Sequence, residues 1–144
     1  MLISHLPLGM RIAVEDCEEM RSNVASKAPE EACGMIAGQV EGDIYQVKAV
    51  IPATNILHSP VRFRVDPQEQ LAAFNRIEEQ DWELLGIYHS HPGGPDKPSP
   101  TDIAEAYYPE AVYLVWSCRT GAWTCRGFMI QNGVVSEIPL LLAR

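Results

Sequence analysis

The sequence predicts an α+β fold in which a mixed central β-sheet is flanked by helices. Three observations carry that expectation. Several runs rich in Val, Ile and aromatic residues read as strands, two segments place apolar residues at helical spacing, and the two kinds of element do not alternate strictly. With 144 residues, 47% hydrophobic and 21% charged, the chain is expected to form one domain over residues 1–144, long enough to bury a core.

Residues 10–14 read as an opening strand. The segment "EDCEEMRSNVASK" then sets Cys17, Met20 and Val24 on one helix face, and Pro29 stops that helix. "ACGMIAGQV" and "DIYQVKAVI" read as strands around the turn Glu41-Gly42-Asp43, and "VRFRV" as a further short strand. Asp66-Pro67 is an N-cap followed by proline at the first helical position. The helix it starts carries Leu71, Phe74 and Ile77 on its apolar side. "LLGIYHSH" is the next strand, followed by a proline-rich loop and a short helix over residues 100–107. "AVYLVWS" and "WTCRGFMIQ" form a hairpin, and Asn132-Gly133 turns the chain into a last strand, "VVSEIPLLL".

Eleven basic residues against nineteen acidic ones give a net charge of −8. This argues against nucleic-acid or anionic-membrane binding, which need clustered Lys and Arg. No apolar run approaches the ~20 residues of a membrane span. The N-terminus lacks the basic and small-residue features of a secretory leader, so a cytoplasmic location is expected. Cys17, Cys33, Cys118 and Cys125 form no CxxC pair, which disfavours a cysteine-built zinc site. Reduced, partly buried thiols are the default; a Cys118–Cys125 bridge across the hairpin is the lesser reading.

Side chains alternate along a strand, so Leu85, Ile87, His89 and His91 are expected on one side, the two histidines at the strand's C-terminal end. Two imidazoles two residues apart on one face can converge on one ion, and a catalytic zinc takes three protein ligands. Asp102, in the first turn of the helix that follows the stiff Pro92, Pro95, Pro98 loop, is placed to return as the third. His5 and His58 have no partners at ligand spacing. From the residues alone, a metal site and an incidental histidine pair both remain open.

The pattern His89-x-His91, seven residues, Ser99, two residues, Asp102 resembles the signature of the JAMM (JAB/MPN-type) zinc metalloproteases. "APEEACGMIAG" resembles that family's upstream glutamate segment, with Glu31 at the matching position and Glu30 as the one-residue-slip alternative. The resemblance implies a cytidine-deaminase-like JAB/MPN fold and one Zn²⁺ held by His89, His91 and Asp102. It implies Glu31 as general acid/base, Ser99 as an oxyanion donor, and Cys33 as packing beneath the site. The chain is similar to the short prokaryotic branch, which implies a metallo(iso)peptidase cutting after the C-terminal glycine of a ubiquitin-like or sulfur-carrier protein. The leaving group is then cysteine (or another short addition) or a lysine side chain. The competing reading is a non-catalytic MPN scaffold that binds partner proteins. Tyr107, Tyr108 and Trp116 are candidates for a partner surface or for the core, and the oligomeric state is not specified.

Overall fold

A computed structural model describes residues 6–144, so His5 lies outside the described residues. The order of elements is β1 (Gly9–Ala13), α1 (Val14–Lys27), β2 (Cys33–Glu41), β3 (Ile44–Ala53), α2 (Pro67–Glu79), β4 (Glu83–His91), α3 (Pro100–Ala104), β5 (Val112–Arg119), β6 (Ala122–Gln131), β7 (Val134–Ile138) and β8 (Leu140–Ala143). The strands form one eight-stranded sheet in the order β7-β6-β5-β4-β2-β3-β1-β8. Parallel pairs (β1 with β3 and β8, β4 with β5) sit among antiparallel ones, which is the expected mixed α+β sheet.

Helix α1 buries Met20 and Val24 against one face of the sheet, in a cluster with Ile36, Tyr88, Leu114 and Trp116. Helix α2 covers the other face, where Ala73 packs with Met35, Ile87 and Tyr113. As expected, Asp66 caps α2, its carboxylate accepting from the Gln68 and Glu69 amides. The expected apolar side of α2 is corrected at one position: Ile77 is buried as expected, but Leu71 is 62% exposed and Ala73 is buried in its stead. Trp116 belongs to the core, whereas Tyr107 is 75% exposed.

Four further expectations change. "VRFRV" is not a strand: apart from an isolated Asn55–Val65 bridge, its polar backbone is held by the Asn55 side chain, which accepts from the Arg64 amide and donates to the Arg62 carbonyl. The third helix ends at Ala104 rather than Tyr107. The last strand divides at Pro139, which has no N–H to donate. Before it β7 pairs with β6, and after it β8 pairs with β1, so one segment occupies both ends of the strand order and the sheet curls upon itself. Finally, Ile36 faces Gly86 while Ala37 faces Leu84, so a bulge leaves Leu85 unpaired and turns it into the α1 cluster, away from Ile87.

Gly34 shows how tightly the site strands are packed. A Cβ there would lie 2.2 Å from Tyr88 Cε2, because the Tyr88 ring crosses β2 to donate its hydroxyl hydrogen bond to Asn23 Oδ1 at 2.7 Å. Gly34→Ala is expected to cost about 1–3 kcal/mol by overpacking. Tyr88→Phe, which loses only the hydroxyl, should cost about 1 kcal/mol. Urea titrations of both variants check this, and a wild-type midpoint for Gly34→Ala would show that the ring has room to move.

Candidate metal centre

Strand β4 runs between antiparallel β2 and parallel β5, and its last residues are fully enclosed: His89 is 1% and His91 5% exposed. Both rings lie on the α2 face, following Ile87 at period two. The loop after β4 returns through a capping box at α3. Ser99 Oγ accepts from the Asp102 amide at 3.0 Å, and the Ser99 amide donates to Asp102 Oδ2 at 2.8 Å. That box fixes the Asp102 carboxylate over the histidines.

The result is a triangle of ligand-type atoms. His89 Nε2 and His91 Nε2 lie 3.0 Å apart, and each lies 3.1 Å from Asp102 Oδ2. His91 Nδ1 lies 2.8 Å from the Pro95 carbonyl, which can only accept. In the neutral ring that nitrogen therefore carries the proton and Nε2 offers a lone pair. With His89 in the same tautomer, lone pairs from two rings and a carboxylate would point into one small space, an arrangement that a shared cation satisfies. Donors ~2.0–2.1 Å from a tetrahedral ion sit ~3.3 Å from each other, close to the edges of this triangle. The residues present fit a metal.

The electrostatics agree with this arrangement. Burial pushes the Asp102 carboxyl upward, but the hydrogen bonds to His89, His91 and the Ser99 amide outweigh it and hold it well below the usual carboxylate range. Burial drives His89 toward its neutral form. For His91 burial acts downward too, and Asp102 with the Pro95 carbonyl reverses the sign.

Glu31 stands beside the triangle, 3% exposed, with Oε1 lacking a hydrogen-bond partner. One of its carboxylate oxygens and ligand nitrogens of both histidines all lie within 4.8 Å of one another. Glu31 could itself be counted as a third metal ligand; Asp102, at 3.1 Å from both nitrogens, is the better third vertex. Burial raises the Glu31 carboxyl to about 7, with His91 pulling it down and Asp102 pushing it up. Its backbone is pinned on both sides: the Glu31 amide donates to the Ser59 carbonyl at 2.8 Å and its carbonyl accepts from Asn55 Nδ2 at 3.0 Å. Glu30 is turned away and pairs with His58 at 3.1 Å.

Cys33 is buried opposite His89 with its thiol pushed up to about 12 by burial, which suits packing. All four cysteines are free, and Cys118 faces Trp123 rather than Cys125. Two contributors escaped sequence reasoning. Phe63 stacks on His89 with ring centroids 4.5 Å apart, and Asn55 ties Glu31 to the 56–64 loop. The "VRFRV" run advertised the aromatic residue but disguised its loop conformation; nothing in the sequence marks Asn55. Phe63, Val65, Ile87, Tyr108 and Tyr113 wall a cleft of ≈ 290 Å³ that reaches down to His89 and Asp102.

The model of prokaryotic homologs of the JAB domain matches residues 14–126. A probable TtuB-protein conjugate cleaving protease of Thermus thermophilus is 35% identical over 98% of this chain and 84% of its own length. A CysO-cysteine peptidase of Mycobacterium tuberculosis is 37% identical over 78% of this chain and 76% of its own. A solution structure of a Desulfitobacterium hafniense protein superposes with a TM-score of 0.85 at 34% identity, covering 94% of this chain and 93% of that one.

The raised Glu31 carboxyl has a stability signature in metal-free protein. A folded pKa of about 7 against an ordinary 4.5 means that the fold holds this proton more tightly than the unfolded chain. The associated stability is fully present below pH 4.5 and is lost as pH rises through 7. In chelator-treated protein, Glu31→Gln is expected to be neutral at pH 4.5 and stabilising by on the order of 1–2 kcal/mol at pH 8. Denaturation at the two pH values reads this, and equal differences at both would place the carboxylate in water.

Proposed function

This chain belongs to the prokaryotic JAB-domain family, and from that premise we propose that it is a zinc-dependent metallo(iso)peptidase. Its substrate is a ubiquitin-like or sulfur-carrier protein, cut at the amide bond after the C-terminal glycine. The observation that carries this reading is the triangle of His89, His91 and Asp102 acceptor atoms with the unpartnered Glu31 carboxylate beside it. Residues 1–144 act in it as one catalytic domain. The four free cysteines suit a reducing compartment such as the cytoplasm. Among the described residues, no helix is long and apolar enough to cross a membrane.

In this reading His89, His91 and Asp102 hold one Zn²⁺, which when bound supplies a Lewis acid for the scissile carbonyl and acidifies water. Glu31 takes the proton of the attacking water and later delivers it to the leaving amine; a carboxyl near 7 is suited to both transfers at neutral pH. Ser99 Oγ already accepts from the Asp102 amide, but its own proton remains free to donate to a developing oxyanion. In this reading the cleft beside His89 and Asp102, walled in part by Phe63, Tyr108 and Tyr113, receives the extended Gly-Gly tail. The two activities named among the relatives, conjugate cleavage and release of cysteine, break the same kind of bond.

Glu31→Gln is expected to retain zinc while hydrolysis falls ~10²–10⁴-fold. His91→Ala should lose stoichiometric metal. Ser99→Ala should lower turnover ~10²–10³-fold if its hydroxyl serves the oxyanion. An unchanged Ser99→Ala rate would reduce that residue to a helix cap. Intact-mass spectrometry of zinc-loaded protein, with chelator controls, would compare a carrier ending in Gly-Gly-Cys with the same carrier joined to a lysine ε-amine. Cleavage of the first alone assigns release of cysteine, and of the second alone release of a modifier. Zinc binding with neither substrate cut would overturn the assignment in favour of a non-catalytic scaffold.

A further inference from the structure

The proline-rich loop that follows β4 has a second anchor, remote from the metal triangle. Arg126 on β6 lies in the same row across the sheet as His89, since His89 pairs with Val115 and Val115 with Arg126. Two strand spacings, about 10 Å, separate them. Its guanidinium lies 5.1 Å from the centroid of Phe128, which faces Tyr113 in the cluster beneath α2, so Arg126 stands on the site's own side of the sheet. Nε and Nη2 donate to the two carboxylate oxygens of Glu137 at 3.0 and 2.7 Å, and Nη1 reaches Asp96 Oδ2 at 3.2 Å.

Asp96 follows Pro95 directly, and the Pro95 carbonyl is the acceptor that sets the His91 ring. Among the described residues, the Arg126 contact is the one side-chain polar tether on residues 96–98. We infer that Arg126, braced by Glu137 and Phe128, is a positioning residue: through Asp96 it holds the Pro95 carbonyl against His91 Nδ1 and so keeps His91 Nε2 aimed at the metal. A guanidinium suits this task because its planar fork serves two carboxylates from two elements at once. The single Arg126–Asp96 contact is 37% and 40% exposed on its two sides, and an exposed contact of that kind does little for stability, so the consequence of losing it belongs in ligand geometry rather than in global unfolding.

The inference rests on the metal-ligand reading above, and zinc competition against a chromogenic chelator separates the two. Removing a partner of a ligating histidine typically costs 10–100-fold in metal affinity; one step further out, Asp96→Asn and Arg126→Met are each expected to weaken zinc binding ~3–10-fold. Acting through one path, the double variant should be no weaker than the worse single variant. In metal-free ¹⁵N-labelled protein, the His91 resonances should move from a single Nδ1–H tautomer toward a mixture, with melting temperature held. Asp96→Asn leaves the Arg126–Glu137–Phe128 arrangement intact, so it carries the test if Arg126→Met folds poorly. Unchanged affinity and tautomer, or losses that add in the double variant, overturn the inference. Wild-type protein that binds no zinc would overturn the ligand reading itself.

Discussion

Two imidazole nitrogens and a carboxylate oxygen lie within 3.1 Å of one another in a pocket almost closed to water, a cluster that is satisfied only while a proton or a metal cation sits among its atoms. The Pro95 carbonyl accepts the Nδ1 proton of His91, so in the neutral ring Nε2 turns its lone pair toward that shared centre. The surrounding structure serves this arrangement. The capping box of α3 exists at the point where Asp102 must arrive, Phe63 closes the open side of His89, and the 56–64 loop pins the backbone of Glu31.

Burial gives the neighbouring acid its character. Glu31 and Glu30 are adjacent in sequence and chemically alike, yet their environments separate them completely. Glu30 meets a half-solvated histidine on the surface, whereas Glu31 enters a dry site with one oxygen unpartnered. The same dryness that raises its carboxyl makes an uncompensated charge there costly, which accords with the acid/base role proposed for it.

Much of this was legible in the sequence where local rules act alone. Strand alternation placed His89 and His91 on one side, Ser99 and Asp102 carry capping-box spacing, and Asp66-Pro67 marked the start of α2. Legibility failed where distant partners decide. The bulge at Leu85 reflects a register mismatch between β2 and β4, which no single segment encodes. "VRFRV" has strand composition but lacks a partner strand, and its hydrogen bonds go to Asn55. The segment after Asn132-Gly133 reads as one strand until the sheet shows that Pro139 switches it between neighbours. Leu71 fits the helical repeat of α2 but faces solvent, and the smaller Ala73 is the side chain that packs on the sheet.

That switch at Pro139 separates the segment that closes the sheet from the elements that form the site. Each element that carries a proposed metal ligand or flanks the site, from β2 to β5, precedes residue 120, whereas β1 acquires its β8 neighbour only from residues 140–143. The histidine–aspartate triangle is thus built by one set of neighbouring elements, while the curl of the sheet is closed by a strand that pairs with none of them. Residues 134–143 then act as a clasp, tying β6 on one side of the site strands to β1 on the other.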